Sequence, residues 1–96
     1  MKATATIVDE QSRLIVSGEL NFETIVVLWK QSLSLLAKHP RIDIDLSKVT
    51  VSNSAGLALL LEWLKYGKRE NKVVIFTAIP AQLRSIASVA GVDFMV

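Results

Sequence analysis

The residues that could do chemistry in this chain are few, and their spacing does not favour it. His39 is the single histidine and there is no cysteine, which removes a thiolate nucleophile, a thiolate metal site and a disulfide frame. Serines are plentiful, but none is marked out as a nucleophile beside a base, and no Ser-His-Asp spacing can be drawn. Asp43 and Asp45 alternate in "RIDIDLSKV" and share one face. With no further ligand type nearby in sequence, they read as a solvated face or as anchors for loop hydrogen bonds rather than a metal site. A glycine-rich phosphate loop of the Walker or dinucleotide type is absent. The expectation is a non-enzyme with no catalytic residue, no metal, no cofactor and no small-molecule substrate.

One stretch remains, "VTVSNSAGLALLLEWL" from Val49 to Leu64. Ser52-Asn53-Ser54 has the residue types of a helix N-cap at a strand-to-helix turn. The same turn, through Asn53, Ser54, Ala55, Gly56 and Leu57, would also present unpaired N–H groups to an anion or to a partner's carbonyls. In the helix that follows, Leu57, Leu60, Leu61 and Leu64 form a core stripe. Leu59, Trp63 and Tyr66 form a second one on the other side of the axis. A helix packed on one sheet needs a single stripe, so the second is read as a protein-binding ridge anchored by Trp63.

The elements that must position this turn follow from periodicity. "TATIVDEQSRLIVSGEL" reads as a hairpin, with one strand over Ala3 to Val8, a turn at Asp9-Glu10-Gln11-Ser12, and a second strand over Leu14 to Ser17 that Gly18 ends. Asn21 caps the first helix, with Glu23 near its positive end. Phe22, Ile25, Val26, Trp29, Leu33 and Leu36 make its core stripe, and Leu28 and Leu35 lie off it. The helix stops near Lys38-His39-Pro40, which places His39 in an exposed loop. Ile42, Ile44 and Leu46 give the next strand a core face. After the second helix, which stops between Gly67 and Asn71, "KVVIFTA" is a continuous apolar run expected in the middle of a sheet. Pro80 opens a third helix with Leu83, Ile86, Ala87 and Ala90 inward and Gly91 as its stop, and "DFMV" is a short last strand. The order β-β-α-β-α-β-α-(β) predicts an α/β fold, a mixed sheet packed with helices whose parallel pairs are joined by right-handed crossovers.

Residues 1–96 make one domain. Hydrophobic residues are 51% and charged ones 21%, and the mean hydropathy of +0.42 is high. No stretch reaches the ~20 apolar residues of a spanning helix, so the excess is expected on a surface that meets a partner. "MKATATIVDEQSR" lacks the apolar core of a secretory signal, which with the missing cysteines fits the cytoplasm. Net charge is +2. The local basic cluster of Lys65, Lys68, Arg69 and Lys72 is interleaved with Glu62 and Glu70 and reads as a solvated helix face, not a nucleic-acid surface.

"IDIDLSKVTVSNSAGLALLL" resembles the signature segment of STAS domains, where a strand ending Asp-Leu-Ser leads into a Ser- and Gly-bearing turn that opens a helix. Asp45-Leu46-Ser47 and Asn53-Ser54-Ala55-Gly56-Leu57 match it, and "VSGELNFETIVVLW" and "AQLRSIASVAGV" extend the likeness over nearly the whole chain. Gly18-Glu19-Leu20-Asn21, Leu28-Trp29, Ser54-Ala55-Gly56 and Leu57-Ala58-Leu59-Leu60-Leu61 are most similar to the MlaB-type branch. The resemblance implies a STAS (anti-sigma factor antagonist-like) fold and a non-catalytic subunit. Such a subunit binds and supports the MlaF-like ATPase of an Mla-type ABC transporter, which moves phospholipid and maintains outer-membrane lipid asymmetry in Gram-negative bacteria. The subunit would be cytoplasmic, peripheral to the inner membrane through the ATPase and its permease, with the loop hydroxyl, here Ser54, at the contact. The alternative that the resemblance leaves open is an anti-sigma factor antagonist-type switch that binds an anti-sigma factor or serine kinase. Ala55 has no oxygen to modify and lies just before Gly56, so no phosphorylation is expected and Ser54 is the sole candidate.

Overall fold

A computed structural model describes residues 4–92. Its elements run β1 (Ala5–Glu10), β2 (Arg13–Leu20), α1 (Thr24–Ala37), β3 (Arg41–Ser52), α2 (Ser54–Arg69), β4 (Val73–Thr77) and α3 (Ala81–Val89). The sheet order is β1-β2-β3-β4. β1 and β2 are antiparallel, whereas β2–β3 and β3–β4 are parallel, each pair joined by a helix. The mixed sheet with crossover helices is the expected one. The expected start at Ala3 and the last strand over 93–96 lie outside the described residues.

Hydrophobic alternation builds the buried face of the sheet. Ile7, Leu14, Val16, Leu20, Ile42, Ile44, Leu46 and Phe76 join side chains of all three helices in one core. The alternate residues Val8, Ile15, Asp43, Asp45 and Ile75 lie on the other face, which no helix among the described residues covers.

Several boundaries and phases differ from the periodicity reading. The hairpin turn is Gln11-Ser12 alone, at φ 53° and 66°. Two left-handed residues match the twist of the flanking strands, so Asp9 and Glu10 remain in β1. Gly18 does not end β2. It sits within the strand at φ 98°, where the register to β3 shifts and where a Cβ would strike the Thr4 carbonyl. β4, expected mid-sheet, lies at one edge of the described sheet. His39 is not freely exposed, because its Nε2 lies 2.7 Å from the Asp9 carboxylate. Ala90 is exposed, leaving Leu83 and Ala87 as the buried residues of α3.

The phase of α1 is the largest departure. Its buried residues are Thr24, Leu28, Ser32 and Leu36, while Phe22, Val26 and Leu33 are 68%, 51% and 39% exposed. The helix turns a stripe containing two hydroxyl residues inward, and both hydroxyls are bonded. Thr24 completes a reciprocal cap: its N–H donates to Asn21 Oδ1 at 2.9 Å, and its Oγ1 accepts from the Asn21 N–H at 3.0 Å. Ser32 Oγ accepts from Trp63 Nε1 at 3.0 Å and donates to the Trp29 carbonyl at 2.7 Å. Satisfied hydroxyls are cheap to bury, and they free the more apolar stripe for the surface.

Candidate protein-docking site

Asn53 makes the turn ahead of α2. Its backbone is extended, its Oδ1 accepts from the Ala55 N–H at 2.8 Å, and its carbonyl accepts from the Gly56 N–H at 3.0 Å. Two of the amides expected to await an anion or a partner, those of Ala55 and Gly56, are therefore taken by Asn53 itself. The Asn53 N–H donates to the Leu20 carbonyl at 3.2 Å, and the Ser52 N–H donates to Gln82 Oε1 at 3.1 Å. The turn is thus tied to the end of β2 and to the start of α3. Ser52 is buried, and a Cβ at position 56 would run into its hydroxyl and against Leu20. Glycine is what lets α2 approach β2 here.

Of the eight candidate residues, the structure leaves two at the surface. Asn53 and Ser54 are exposed, whereas Ala55, Gly56 and Leu57 are buried. Leu59, Trp63 and Tyr66 do not form an outer ridge, being 2%, 0% and 9% exposed. The reason is that α2 packs against α1, α3, β3 and β4 together, so apolar residues around most of its circumference find cover. Trp63 stacks tilted on Phe76, with centroids 6.5 Å apart. Arg69 and Lys72 lie over the Tyr66 ring, and Lys72 Nζ also donates to the Leu36 carbonyl at 2.8 Å. Within this turn, position 55 is sealed and the hydroxyl that reaches solvent is that of Ser54.

The apolar surface lies instead one turn along α2 from Ser54. Exposed Ala58, with Leu59 and Glu62, forms one wall of a groove of about 200 Å³, and Ile25, Val26 and Trp29 of α1 form the other. Phe22, just ahead of α1, and Leu33, further along it, are also exposed. Sequence reasoning assigned Ile25, Val26 and Trp29 to the core; Ile25 and Trp29 are half-buried and do pack against it, while Val26 is exposed. The signal that could have corrected this was the presence of two apolar stripes on α1, more than one sheet can bury.

Charge at the site is modest. Glu62 pairs with Lys65 at 3.3 Å. On the uncovered sheet face, the Asp45 carboxyl is held below its ordinary range, chiefly by the hydrogen bond from the Ser47 backbone N–H. The Ser47 hydroxyl, Arg13 and Lys48 act in the same direction, and burial opposes them. That N–H falls where β3 carries one residue more than β2 between paired positions, so the acid satisfies an amide that the bulge removes from the ladder. Among the described residues no cluster of three metal-ligating side chains occurs.

A mixed sheet with three helices on one side, and a capped polar turn heading the second, defines an α/β domain of the STAS class, which is generally non-catalytic. The family model described as "Mlab, STAS domain" matches residues 3–96, and the chain belongs to that family. The fold is similar to the anti-sigma factor antagonist SpoIIAA in its unphosphorylated form, with a TM-score of 0.70, 12% identity, and coverage of 92% of this chain and 81% of that one. An anti-sigma factor antagonist from Mycobacterium paratuberculosis is similar at a TM-score of 0.69 and 26% identity, over 94% of this chain and 79% of that one. No curated protein matches the sequence. No described helix is long and apolar enough to cross a membrane.

Proposed function

We propose that this chain is a non-catalytic adaptor that docks on the cytoplasmic ATPase subunit of an Mla-type phospholipid transporter. It would be held at the inner membrane through that subunit and its permease. The observation that carries the reading is the exposed Ser54 hydroxyl at the head of α2, beside the apolar groove between α1 and α2, in a chain whose family model is MlaB-type. The Asn53 cap fixes the backbone that carries Ser54, and the groove would accept an apolar side chain from the partner. The test is co-purification with the ATPase of Ser54→Glu and, separately, Ala58→Arg. Both sites are exposed, so the fold should survive, and association should fall by about tenfold or more in each variant. Undiminished association of both would end this reading.

A second reading, an anti-sigma factor antagonist-type switch, is favoured by the exposure of Ser54 rather than position 55. A phosphate on Ser54 would add about −1.5 to −2 charges one helical turn from the groove. Mass spectrometry after incubation with a serine kinase encoded beside the chain distinguishes the two: phosphate on Ser54 supports the switch, and an unmodified chain supports the adaptor.

A further inference from the structure

We propose that the free chain self-associates through the outward stripe of α1, two copies packing their helices antiparallel. The proposal does not rest on the adaptor reading. Phe22, Val26, Trp29 and Leu33 recur at steps of four, three and four, the spacing of a helix-pairing seam. Phe22 lies in the turn that leads into α1, which is closed by the Asn21 cap, the Ile25 N–H donating to the Asn21 carbonyl at 3.0 Å. Three of these side chains are 68%, 51% and 39% exposed, and Trp29 is half-buried.

What identifies a second copy as the occupant is charge placed along the same seam. Glu23 and Lys30 are exposed, lie seven residues apart, and flank the stripe on one side. Neither has an ion-pair partner among the described residues. In an antiparallel pair, Val26 meets Trp29 of the partner subunit and Phe22 meets Leu33 of the partner subunit. That register brings Glu23 alongside Lys30 of the partner subunit, and the two-fold axis repeats the pair. Antiparallel helices also oppose their dipoles favourably. The contact is smaller than the ~800 Å² per partner of a standard stable complex, so association is expected in roughly the ten-micromolar to millimolar range. Because the seam includes Val26 and Trp29, the pair must open before the α1–α2 groove admits another polypeptide.

The test is sedimentation equilibrium of the isolated chain up to about millimolar concentration, where this range of affinity gives a weight-average mass roughly 1.5 to 1.9 times that of the 10.6 kDa monomer. Val26→Glu should remain monomeric at every concentration, with an unchanged circular dichroism spectrum. Glu23→Lys and Lys30→Glu should each weaken the dimer by about tenfold, because two symmetric attractions become repulsions. The double reversal Glu23→Lys/Lys30→Glu, which leaves net charge unchanged, should restore it to within about threefold. A wild-type chain that stays monomeric at millimolar concentration would overturn the proposal. So would a dimer indifferent to Val26→Glu, or a double reversal no tighter than either single change. Undiminished binding to the ATPase by the charge variants would leave the adaptor reading standing whatever the dimer does.

Discussion

Replacing Ser32 by alanine tests why α1 is turned the way it is. Trp63 and Ser32 are both fully buried, and the indole N–H has the Ser32 hydroxyl as its acceptor at 3.0 Å. Ser32→Ala strands that N–H in the core and also removes the hydroxyl's bond to the Trp29 carbonyl. A buried donor left unpaired costs about 1–3 kcal/mol, and 2 kcal/mol in a chain of this size lowers Tm by about 8–16 °C. The decisive measurement is a double-mutant cycle by urea denaturation, followed by circular dichroism because one variant changes a fluorophore. In Trp63→Phe the donor is gone, so Ser32→Ala should then cost about 1–2 kcal/mol less than in the wild type. Equal cost in both backgrounds would refute the hydrogen bond as the reason that a serine occupies the core face. Trp63→Ala should cost about 3–5 kcal/mol, which makes it a probe of stability and not of partner binding.

Two further outcomes follow from the capped turn and the bulge. Asn53→Ala removes the acceptor of the Ala55 N–H and should lower stability by about 1 kcal/mol in thermal unfolding, with Asn53→Asp retaining most of it. Asp45, its pKa depressed in the folded state, contributes stability that is complete above its unfolded pKa of about 4 and disappears as pH falls through the lower folded value. Asp45→Asn should flatten the acid limb of a stability–pH profile relative to wild type, and an unchanged limb would assign the acid sensitivity elsewhere.

How much was legible depended on whether one face or two carried the apolar signal. β3 was plain because Ile42, Ile44 and Leu46 alternate with acids, and Asn21 and Asn53 announced both caps. α1 was not, because it has two competing stripes. The buried one contains Thr24 and Ser32, whose hydroxyls look like surface until their partners Asn21 and Trp63 are known. α2 misled in the opposite sense: Leu59, Trp63 and Tyr66 appeared redundant when only the sheet was counted as cover, yet α1 and α3 also close over that helix. β4 reads as a central strand from its apolar run, but its place in the sheet depends on which strand it joins, a tertiary fact that no local pattern carries. At the docking turn, the residue types were legible. Which of them face outward was not, because that depends on how closely α2 seats against Ser52 and Leu20, an approach that Gly56 permits.

The bare side of the sheet carries its own safeguard. Asp45 is paired in register with Ile15 and Asp43 with Ile75, so carboxylates interrupt what would otherwise be an oily plank of central strands. Arg13 and Arg41 balance these acids at 3.6 and 3.4 Å. Laying another layer there would mean stripping water from four ionic groups at once, a penalty that neighbouring isoleucines do not repay. The molecule is thereby sided, with a face of paired ions opposite the face its helices cover, and the ionic face resists desolvation by a second layer.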